Sequence, residues 1–89
     1  MFFYVYILIH INHKNNPTYV GYTNNLKRRL FLHNTSRGAK FTRGKKWKLI
    51  YSKIYYDKSQ AMKEEFKLKK NYAKRNFLKN EFLIKDEIN

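Results

Sequence analysis

The first eleven residues form the most apolar stretch of the chain. Residues 2–11 are rich in aromatic and β-branched side chains, which predicts a strand. A membrane span needs about 18 to 20 apolar residues, and a secretory signal needs a basic start and a small-residue cleavage site, so neither is expected. A turn at residues 13–17 and a second strand at residues 18–22 would complete a hairpin, with a loop of about five or six residues.

The pattern of apolar positions beyond the hairpin predicts a third strand and two or three helices. The elements expected, in order, are a helix capped by Asn24 or Asn25 and ending near His33, a basic loop at residues 34–46, a strand at residues 47–56, a helix from about Gln60 to Ala73 capped by Asp57 or Ser59, and a short helix from about Asn76 to Ile84. This ββαβα order predicts an α+β fold, in which a three-stranded antiparallel sheet is flanked by two to three helices. The 89 residues support one domain, residues 1–89, with a core at about residues 2–74 and a C-terminal helix or tail at residues 75–89.

The alternation of side chains along the hairpin places two tyrosines on one face. Tyr6 lies on the same face of its strand as Tyr4 and Leu8, and Tyr19 alternates with Val20 on the second strand. Tyr6 and Tyr19 can therefore share a face. On its own this pattern is typical of packing residues, because a strand tyrosine usually buries its ring and leaves its hydroxyl in water.

The long helix carries one carboxylate within its apolar arc. At about 100° per residue, Glu65 falls inside the arc and Glu64 falls outside it. The arc itself comprises Ala61, Met62, Phe66, Leu68, Tyr72 and Ala73. A carboxylate directed at the core is costly unless it is paired or binds a metal. Periodicity alone favours an ion pair with Lys69, four residues later on the same arc, and leaves the metal role open.

A similar pattern separates two adjacent arginines on the first helix. Leu26, Leu30 and His33 form its inward stripe, with Arg29 at the border and Arg28 nearly opposite. Arg29 is thus the better candidate for a site, and Arg28 for contact with solvent or phosphate. The alternative is that both simply belong to a basic surface helix.

Basic residues dominate the composition. The chain has 20 Lys and Arg against 6 Asp and Glu, a net charge of +14. Such a charge favours a polyanionic partner, most commonly nucleic acid, with an anionic membrane or simple solubility as alternatives. Every carboxylate side chain lies at or after Asp57, so a two-metal cluster built from several carboxylates is not expected. The absence of cysteine excludes disulfides, thiolate zinc sites and cysteine nucleophiles, and is compatible with a cytoplasmic location.

These residues together resemble the GIY-YIG endonuclease superfamily, and in particular its short stand-alone bacterial subfamily. Tyr4-Val5-Tyr6 stands in the place of the first motif and Tyr19-Val20-Gly21 in the place of the second, with 12 residues between Tyr6 and Tyr19. Arg29 follows Gly21 by eight residues, and His33 follows Arg29 by four. Glu65 matches the metal-binding glutamate of the superfamily. The resemblance covers about residues 2–72 and includes the basic segment at residues 38–43.

The chain departs from the superfamily pattern at two places. Tyr4 occupies the position of the glycine in the first motif, as is usual in the stand-alone subfamily, and it allows the backbone less freedom. The late asparagine of the superfamily has no secure counterpart, although Asn71, Asn76 and Asn80 lie in the right region.

The resemblance implies a metal-dependent endonuclease that hydrolyses phosphodiester bonds in DNA, with DNA repair or recombination as processes it could serve. Glu65 would hold a single Mg²⁺ or Mn²⁺. Tyr6 would act as general base, with its pKa lowered by the cationic surroundings, and Tyr19 would orient the water or the scissile phosphate. Arg29 would stabilise charge in the transition state, and His33 would serve as a second base or a phosphate ligand.

The implied partner is nucleic acid, with DNA as the first expectation. The expected contacts are Arg28, Arg37, Lys40, Arg43, Lys45 and Lys46, with Phe41 and Trp47 available to stack a base. The alternative interpretation of these basic residues is a disordered loop. We expect a monomer or weak dimer that acts in the cytoplasm and does not bind a membrane.

The main alternative function is a non-catalytic RNA- or DNA-binding protein, such as a ribosome-associated factor or a decayed nuclease. Charge and aromatic content fit it equally well. It gives no reason, however, for a carboxylate to face inward beside two tyrosines and an arginine. For an enzyme we expect Tyr6, Tyr19, Arg29 and Glu65 to line one concave surface, with Glu65 pointing away from Lys69.

Overall fold

The computed structural model describes residues 2–11 and 13–88, and within these ranges the chain forms three strands and three helices. They are β1 (Phe3–His10), β2 (Thr18–Thr23), α1 (Leu26–Asn34), β3 (Trp47–Tyr55), α2 (Lys58–Lys70) and α3 (Tyr72–Ile88), with a short 3₁₀ turn at Lys40–Thr42. The strands make one antiparallel sheet in the order β2-β1-β3. This confirms the predicted α+β fold.

The central strand β1 is buried on both faces of the sheet. Its odd-numbered face, which includes Val5 and Ile7, packs against Ala61 and Leu68 of α2. Its even-numbered face, which includes Tyr6 and Leu8, packs beneath α1 and against Trp47. The apolar start of the chain is thus the core strand that its composition predicts. Within the described ranges, no helix is long and apolar enough to cross a membrane.

The structure shows which of two candidate residues caps each of the helices α1 and α2. Asn25 rather than Asn24 caps α1, because its side-chain oxygen accepts from the Arg28 amide at 3.1 Å. Asp57 rather than Ser59 caps α2, and it accepts from the Ser59 amide at 3.2 Å. Both side chains satisfy amides that have no partner inside the helix.

The predicted end of the long helix, at Ala73, is wrong, because α2 stops at Lys70. The apolar arc is also narrower than predicted, since Met62, Phe66 and Tyr72 are 47%, 57% and 67% exposed. Of the predicted arc, only Ala61 and Leu68 are buried. Because α2 packs on the sheet through these two residues, it needs no wider apolar arc.

Asn71 explains why the helix breaks early and why α3 begins at Tyr72 instead of Asn76. Its side-chain oxygen accepts from the Lys74 amide at 3.1 Å, which is the geometry of an N-terminal cap. Arg75 then donates to the backbone carbonyls of Leu68 at 3.2 Å and Lys69 at 3.0 Å, at the end of α2. The expected short helix or tail is therefore a long helix, and Leu78 packs it against the core.

The basic loop between α1 and β3 is folded rather than extended into solvent. Asn34 bridges the backbone of Trp47, accepting from its amide at 2.6 Å and donating to its carbonyl at 3.1 Å. The Trp47 indole N–H donates to the Thr42 carbonyl at 3.0 Å. These contacts hold the 3₁₀ turn at Lys40–Thr42 against the even-numbered face of the sheet, beside α1.

Candidate active site

Tyr6 and Tyr19 lie on the same face of the hairpin, with ring centroids 6.3 Å apart. The register explains this, because Tyr6 pairs with Gly21, two residues beyond Tyr19 on β2. Gly21 leaves space for the Tyr6 ring, since a Cβ at position 21 would lie 2.6 Å from the Tyr6 hydroxyl oxygen. The second tyrosine motif therefore needs its glycine for close packing.

Arg29 is the arginine of α1 that reaches the two tyrosines. Its guanidinium interacts with the hydroxyls of Tyr6 and Tyr19, and the contact with Tyr6 is the main reason that the pKa of Arg29 is raised. Arg28 is exposed, as the helical pattern predicts. Beside them lies an open depression of about 480 Å³, which is lined by Thr23, Asn24, Asn25, Arg28, Arg29 and Leu32.

His33 lies fully buried behind Tyr6, with 0% of its surface exposed. Its Nε2 atom is 2.9 Å from the Tyr6 hydroxyl, and its Nδ1 atom is 2.8 Å from the Thr42 hydroxyl. Both ring nitrogens are thus occupied inside the protein. The expected role as a phosphate ligand is wrong for this arrangement, because the imidazole has no open side on which a phosphate could bind.

Burial sets the protonation states of this pair. Loss of solvent raises the pKa of Tyr6 to about 12, although the hydrogen bond and positive charge of Arg29 act in the opposite direction. The expectation of a lowered pKa for Tyr6 is therefore wrong in the resting site, where desolvation outweighs the nearby cation. Burial, together with the charge of Arg29, lowers the pKa of His33 to about 4. At neutral pH both side chains are uncharged.

Glu65 is the carboxylate of α2 whose charge reaches Tyr6. Its negative charge adds to the rise in the pKa of Tyr6. Burial and the charge of Glu64, by contrast, raise the pKa of Tyr55 in the core on the other face of the sheet. The Glu65 side chain is 16% exposed and that of Glu64 is 34% exposed. Both observations favour Glu65 over Glu64 as the residue of the site, and the helical arc and the motif favour it too.

In the resting site Glu65 forms an ion pair with Lys69, with Oε1 and Nζ 3.1 Å apart. This is the pair that helical periodicity favours, and the expectation that Glu65 points away from Lys69 is wrong. A half-buried carboxylate in so basic a chain takes the cation one turn later on its own helix. Lys69 itself is 52% exposed, so its ammonium can turn into solvent when another cation takes its place.

The predicted nucleic-acid contacts lie on α1 and the loop that follows it. Arg28, Arg37, Lys40, Arg43 and Lys46 are exposed. Lys45 is half-buried, and its ammonium donates to the Phe41 carbonyl at 2.7 Å, so part of its hydrogen-bonding capacity serves the loop. The exposed members of this set leave their charges available to phosphate.

The two aromatic residues of the loop have different surroundings. Phe41 is 50% exposed and stacks on Tyr19, with ring centroids 6.4 Å apart and planes inclined by 20°. Trp47 is only 4% exposed and packs beside His10 and Tyr19. The prediction that Trp47 could stack a base is therefore wrong, whereas Phe41 has an open ring next to the site.

Sequence patterns did not single out two residues that shape this cluster, Thr42 and Gly38. Thr42 is fully buried against His33. A Cβ at Gly38 would clash with His33 Nδ1, so the loop needs glycine there to approach the ring. Both lie in the basic segment at residues 38–43, where positive charge is the obvious signal and hides their packing role.

Tyr19, Arg29 and Glu65 thus act on the phenol of Tyr6, and the four residues follow the order and spacing of a known motif set. The family model for the GIY-YIG catalytic domain matches residues 2–80. The chain belongs to the GIY-YIG family. The membership of the GIY-YIG superfamily that the tyrosine motifs indicate is thus confirmed.

Similar proteins occur in several bacteria. The chain is 46% identical over 67 residues to UPF0213 protein OB0043 of Oceanobacillus iheyensis, with 74% of each chain covered. It is 42% identical over 79 residues to UPF0213 protein SAG0778 of Streptococcus agalactiae, covering 85% of this chain and 86% of the relative. The solution NMR structure of UPF0213 protein BH0048 from Bacillus halodurans is similar, with a TM-score of 0.51 and 34% identity, over 90% of this chain and 84% of that one. These names state no activity.

Proposed function

We propose that this GIY-YIG protein is a metal-dependent endonuclease that hydrolyses phosphodiester bonds in DNA. The observation that carries the proposal is the convergence on the Tyr6 hydroxyl. Tyr19, Arg29 and Glu65 all act on it electrostatically, and His33 shares a 2.9 Å hydrogen bond with it. A group of this kind supplies what phosphodiester hydrolysis needs, namely a proton acceptor, a phosphate-binding cation and a metal ligand.

In the proposed reaction, Tyr6 and His33 act together as the base. The phenol keeps its proton at neutral pH because its pKa is about 12. Tyr6 can therefore take a proton from the attacking water only if it passes its own proton on. His33 Nε2 is the adjacent acceptor, and it stays unprotonated because the pKa of His33 is about 4. The pair provides general base catalysis without a free tyrosinate.

Arg29 and Tyr19 hold the phosphate and the water in this scheme. Arg29 is a half-buried planar donor whose guanidinium interacts with both phenols. When it turns to the scissile phosphate it stabilises the negative charge that develops there and uncovers the Tyr6 hydroxyl. Tyr19 is only half-buried, so its hydroxyl can orient the water next to Tyr6.

Glu65 fits the metal role through the chemistry of its surroundings. Among the side chains that the structure describes, no group of three His, Cys, Asp or Glu residues could enclose a metal. One carboxylate alone suits a hard cation such as Mg²⁺ or Mn²⁺, which keeps several waters and takes its remaining ligands from substrate oxygens. A bound cation would supply positive charge that stabilises the leaving group. Lys69 offers a comparable charge at this carboxylate in the resting protein.

The second candidate is a non-catalytic nucleic-acid-binding protein, and the ion pair between Glu65 and Lys69 favours it. A carboxylate that is already neutralised needs no metal, and the exposed basic residues of α1 and the loop would bind DNA or RNA in either case. The buried pairing of Tyr6 with His33 would only pack the core of such a protein, whereas the enzyme would use it as a base, and this is the reason for preferring the enzyme.

Cleavage of labelled duplex, branched and single-stranded DNA, with RNA alongside, tests the proposal. We expect DNA strand breaks with Mg²⁺ or Mn²⁺ and none with EDTA. Tyr6→Phe keeps the ring and its packing but removes the hydroxyl, so we expect it to slow cleavage by about 100-fold or more. A contaminating nuclease would cut equally in both preparations. Folded wild-type protein that cuts no substrate would establish the binding protein instead.

A further inference from the structure

Tyr6, His33 and Thr42 form a buried chain of hydrogen bonds that ends on the backbone. The Tyr6 hydroxyl is 2.9 Å from His33 Nε2, His33 Nδ1 is 2.8 Å from the Thr42 hydroxyl, and that hydroxyl is 2.7 Å from the Ala39 carbonyl. The three side chains are 1%, 0% and 0% exposed. No solvent competes for these bonds, so the groups in the chain determine where each proton lies.

The Ala39 carbonyl gives the chain its direction. A carbonyl oxygen can only accept, so the single proton of the Thr42 hydroxyl must lie between these two oxygens, which would otherwise repel each other at 2.7 Å. With its proton used, Thr42 can only accept from His33. A neutral imidazole has one N–H, and this N–H must therefore be at Nδ1. Nε2 is left with a free lone pair facing Tyr6.

The loop is built to hold Thr42 in this position. Thr42 lies in the 3₁₀ turn, whose backbone carbonyl also accepts from the buried Trp47 indole at 3.0 Å. Gly38 lets the backbone before the turn lie directly against the imidazole, since a Cβ there would clash with Nδ1. The basic loop thus forms buried hydrogen bonds on the side that faces His33, and its positive charges give no indication of them.

We propose that Thr42 is a positioning residue that fixes His33 as the Nδ1–H tautomer. This tautomer leaves Nε2 able to take the Tyr6 proton, and the Thr42 oxygen then stabilises the imidazolium by accepting from Nδ1–H. The proton moves from the Tyr6 oxygen to Nε2 as the attacking water gives its own proton to Tyr6, so the charges balance. The catalytic consequence rests on the proposed nuclease function, whereas the tautomer itself does not.

The tautomer can be measured without any cleavage assay. Long-range ¹H–¹⁵N correlation spectra of uniformly labelled protein at pH 7 distinguish a protonated from an unprotonated ring nitrogen. We expect His33 Nδ1 to be protonated and Nε2 unprotonated, the reverse of the tautomer that a free histidine side chain prefers. A protonated Nε2, or a doubly protonated ring, would overturn the proposal whether or not the protein is a nuclease.

Two substitutions then link the tautomer to turnover. Thr42→Val keeps the shape but removes the oxygen, so we expect His33 to shift to the Nε2–H tautomer and cleavage to slow by about 10-fold or more at unchanged DNA affinity. Thr42→Ser retains the oxygen and should restore both the tautomer and the rate. If Thr42→Val leaves the tautomer unchanged, the residue only packs the loop and the proposal fails. If Thr42→Val does not fold, the spectra of the wild type and of Thr42→Ser still decide it.

Discussion

The Tyr6 ring lies directly over Gly21 of the neighbouring strand, with no room between them for a methyl group. A Cβ at position 21 would lie 2.6 Å from the Tyr6 hydroxyl oxygen, 2.8 Å from Cζ and 3.0 Å from the Tyr19 ring. The first and second tyrosine motifs are therefore one packing unit. The glycine of the second motif allows the tyrosine of the first motif to lie against the hairpin and reach His33.

Gly21→Ala should test this packing unit. The added methyl must displace Tyr6 or Tyr19, because an aromatic ring cannot bend away as a flexible chain can. We expect a loss of about 1 to 3 kcal/mol in the free energy of unfolding and a larger loss of cleavage than of DNA binding. Denaturant unfolding and binding titrations measure the two effects. Gly44→Ala is the matched control for local space, because nothing lies within 4 Å of a Cβ there, although its φ of +70° adds backbone strain. Equal effects on cleavage would argue against the packing unit.

Much of the site could be predicted because the positions that matter are periodic or follow a motif. Strand alternation places Tyr6 and Tyr19 on one face, and helical periodicity selects Arg29 over Arg28 and Glu65 over Glu64. These inferences need only the local geometry of a strand or a helix. They hold because each element is short and regular from its cap to the site residue.

The parts that could not be predicted depend on contacts between distant segments. The pKa of Tyr6 follows from burial beneath α1 and the loop, which no local pattern measures. The inner role of Thr42 requires knowing that the loop folds back on His33, nine residues earlier. The early end of α2 depends on Asn71 and Arg75, and both residues fit equally well inside a longer helix when only the sequence is considered.

The buried imidazole of His33 should make stability depend on pH. Its pKa is lowered from 6.5 to about 4 in the folded protein, so the unfolded chain binds more protons between these values. Stability should therefore be full above about pH 6.5 and fall as the pH drops towards 4, by about 3 kcal/mol from this group. Denaturant unfolding at several pH values measures the slope. His33→Gln removes the titrating group, so the stability that this variant loses between pH 6.5 and pH 4 should be smaller by about 3 kcal/mol. An unchanged slope would show that His33 is not held neutral.

Binding to DNA should fall steeply with salt through the exposed basic loop. Neutralising Lys40, Arg43 and Lys46 should reduce the slope of log affinity against log salt by about 2 to 3, since each lost phosphate contact contributes about 0.9. Lys45 is left intact because it holds the Phe41 carbonyl. Neutralising Lys58, Lys63 and Lys85 removes the same charge from exposed positions of α2 and α3. If both triple variants change the slope equally, total charge rather than the loop governs binding.

The two adjacent glutamates of α2 provide the most direct test of the proposed nuclease. Each is paired with a lysine of its own helix, at 3.1 Å for Glu65 and 3.4 Å for Glu64, but only the charge of Glu65 acts on Tyr6. Glu65→Gln and Glu64→Gln therefore remove the same charge from the same helix. Loss of either partly exposed pair should cost less than about 1 kcal/mol of stability, which thermal melting checks.

The decisive measurement is the rate of DNA cleavage by these two variants with Mg²⁺, beside their affinity for the same DNA in EDTA. We expect Glu65→Gln to cleave at least about 100-fold more slowly than the wild type, and Glu64→Gln to cleave at nearly the wild-type rate. Affinity should be the same for both, since neither carboxylate attracts DNA. Equal cleavage by the two variants would contradict the assignment of Glu65 as the metal ligand, and with it the catalytic site around Tyr6.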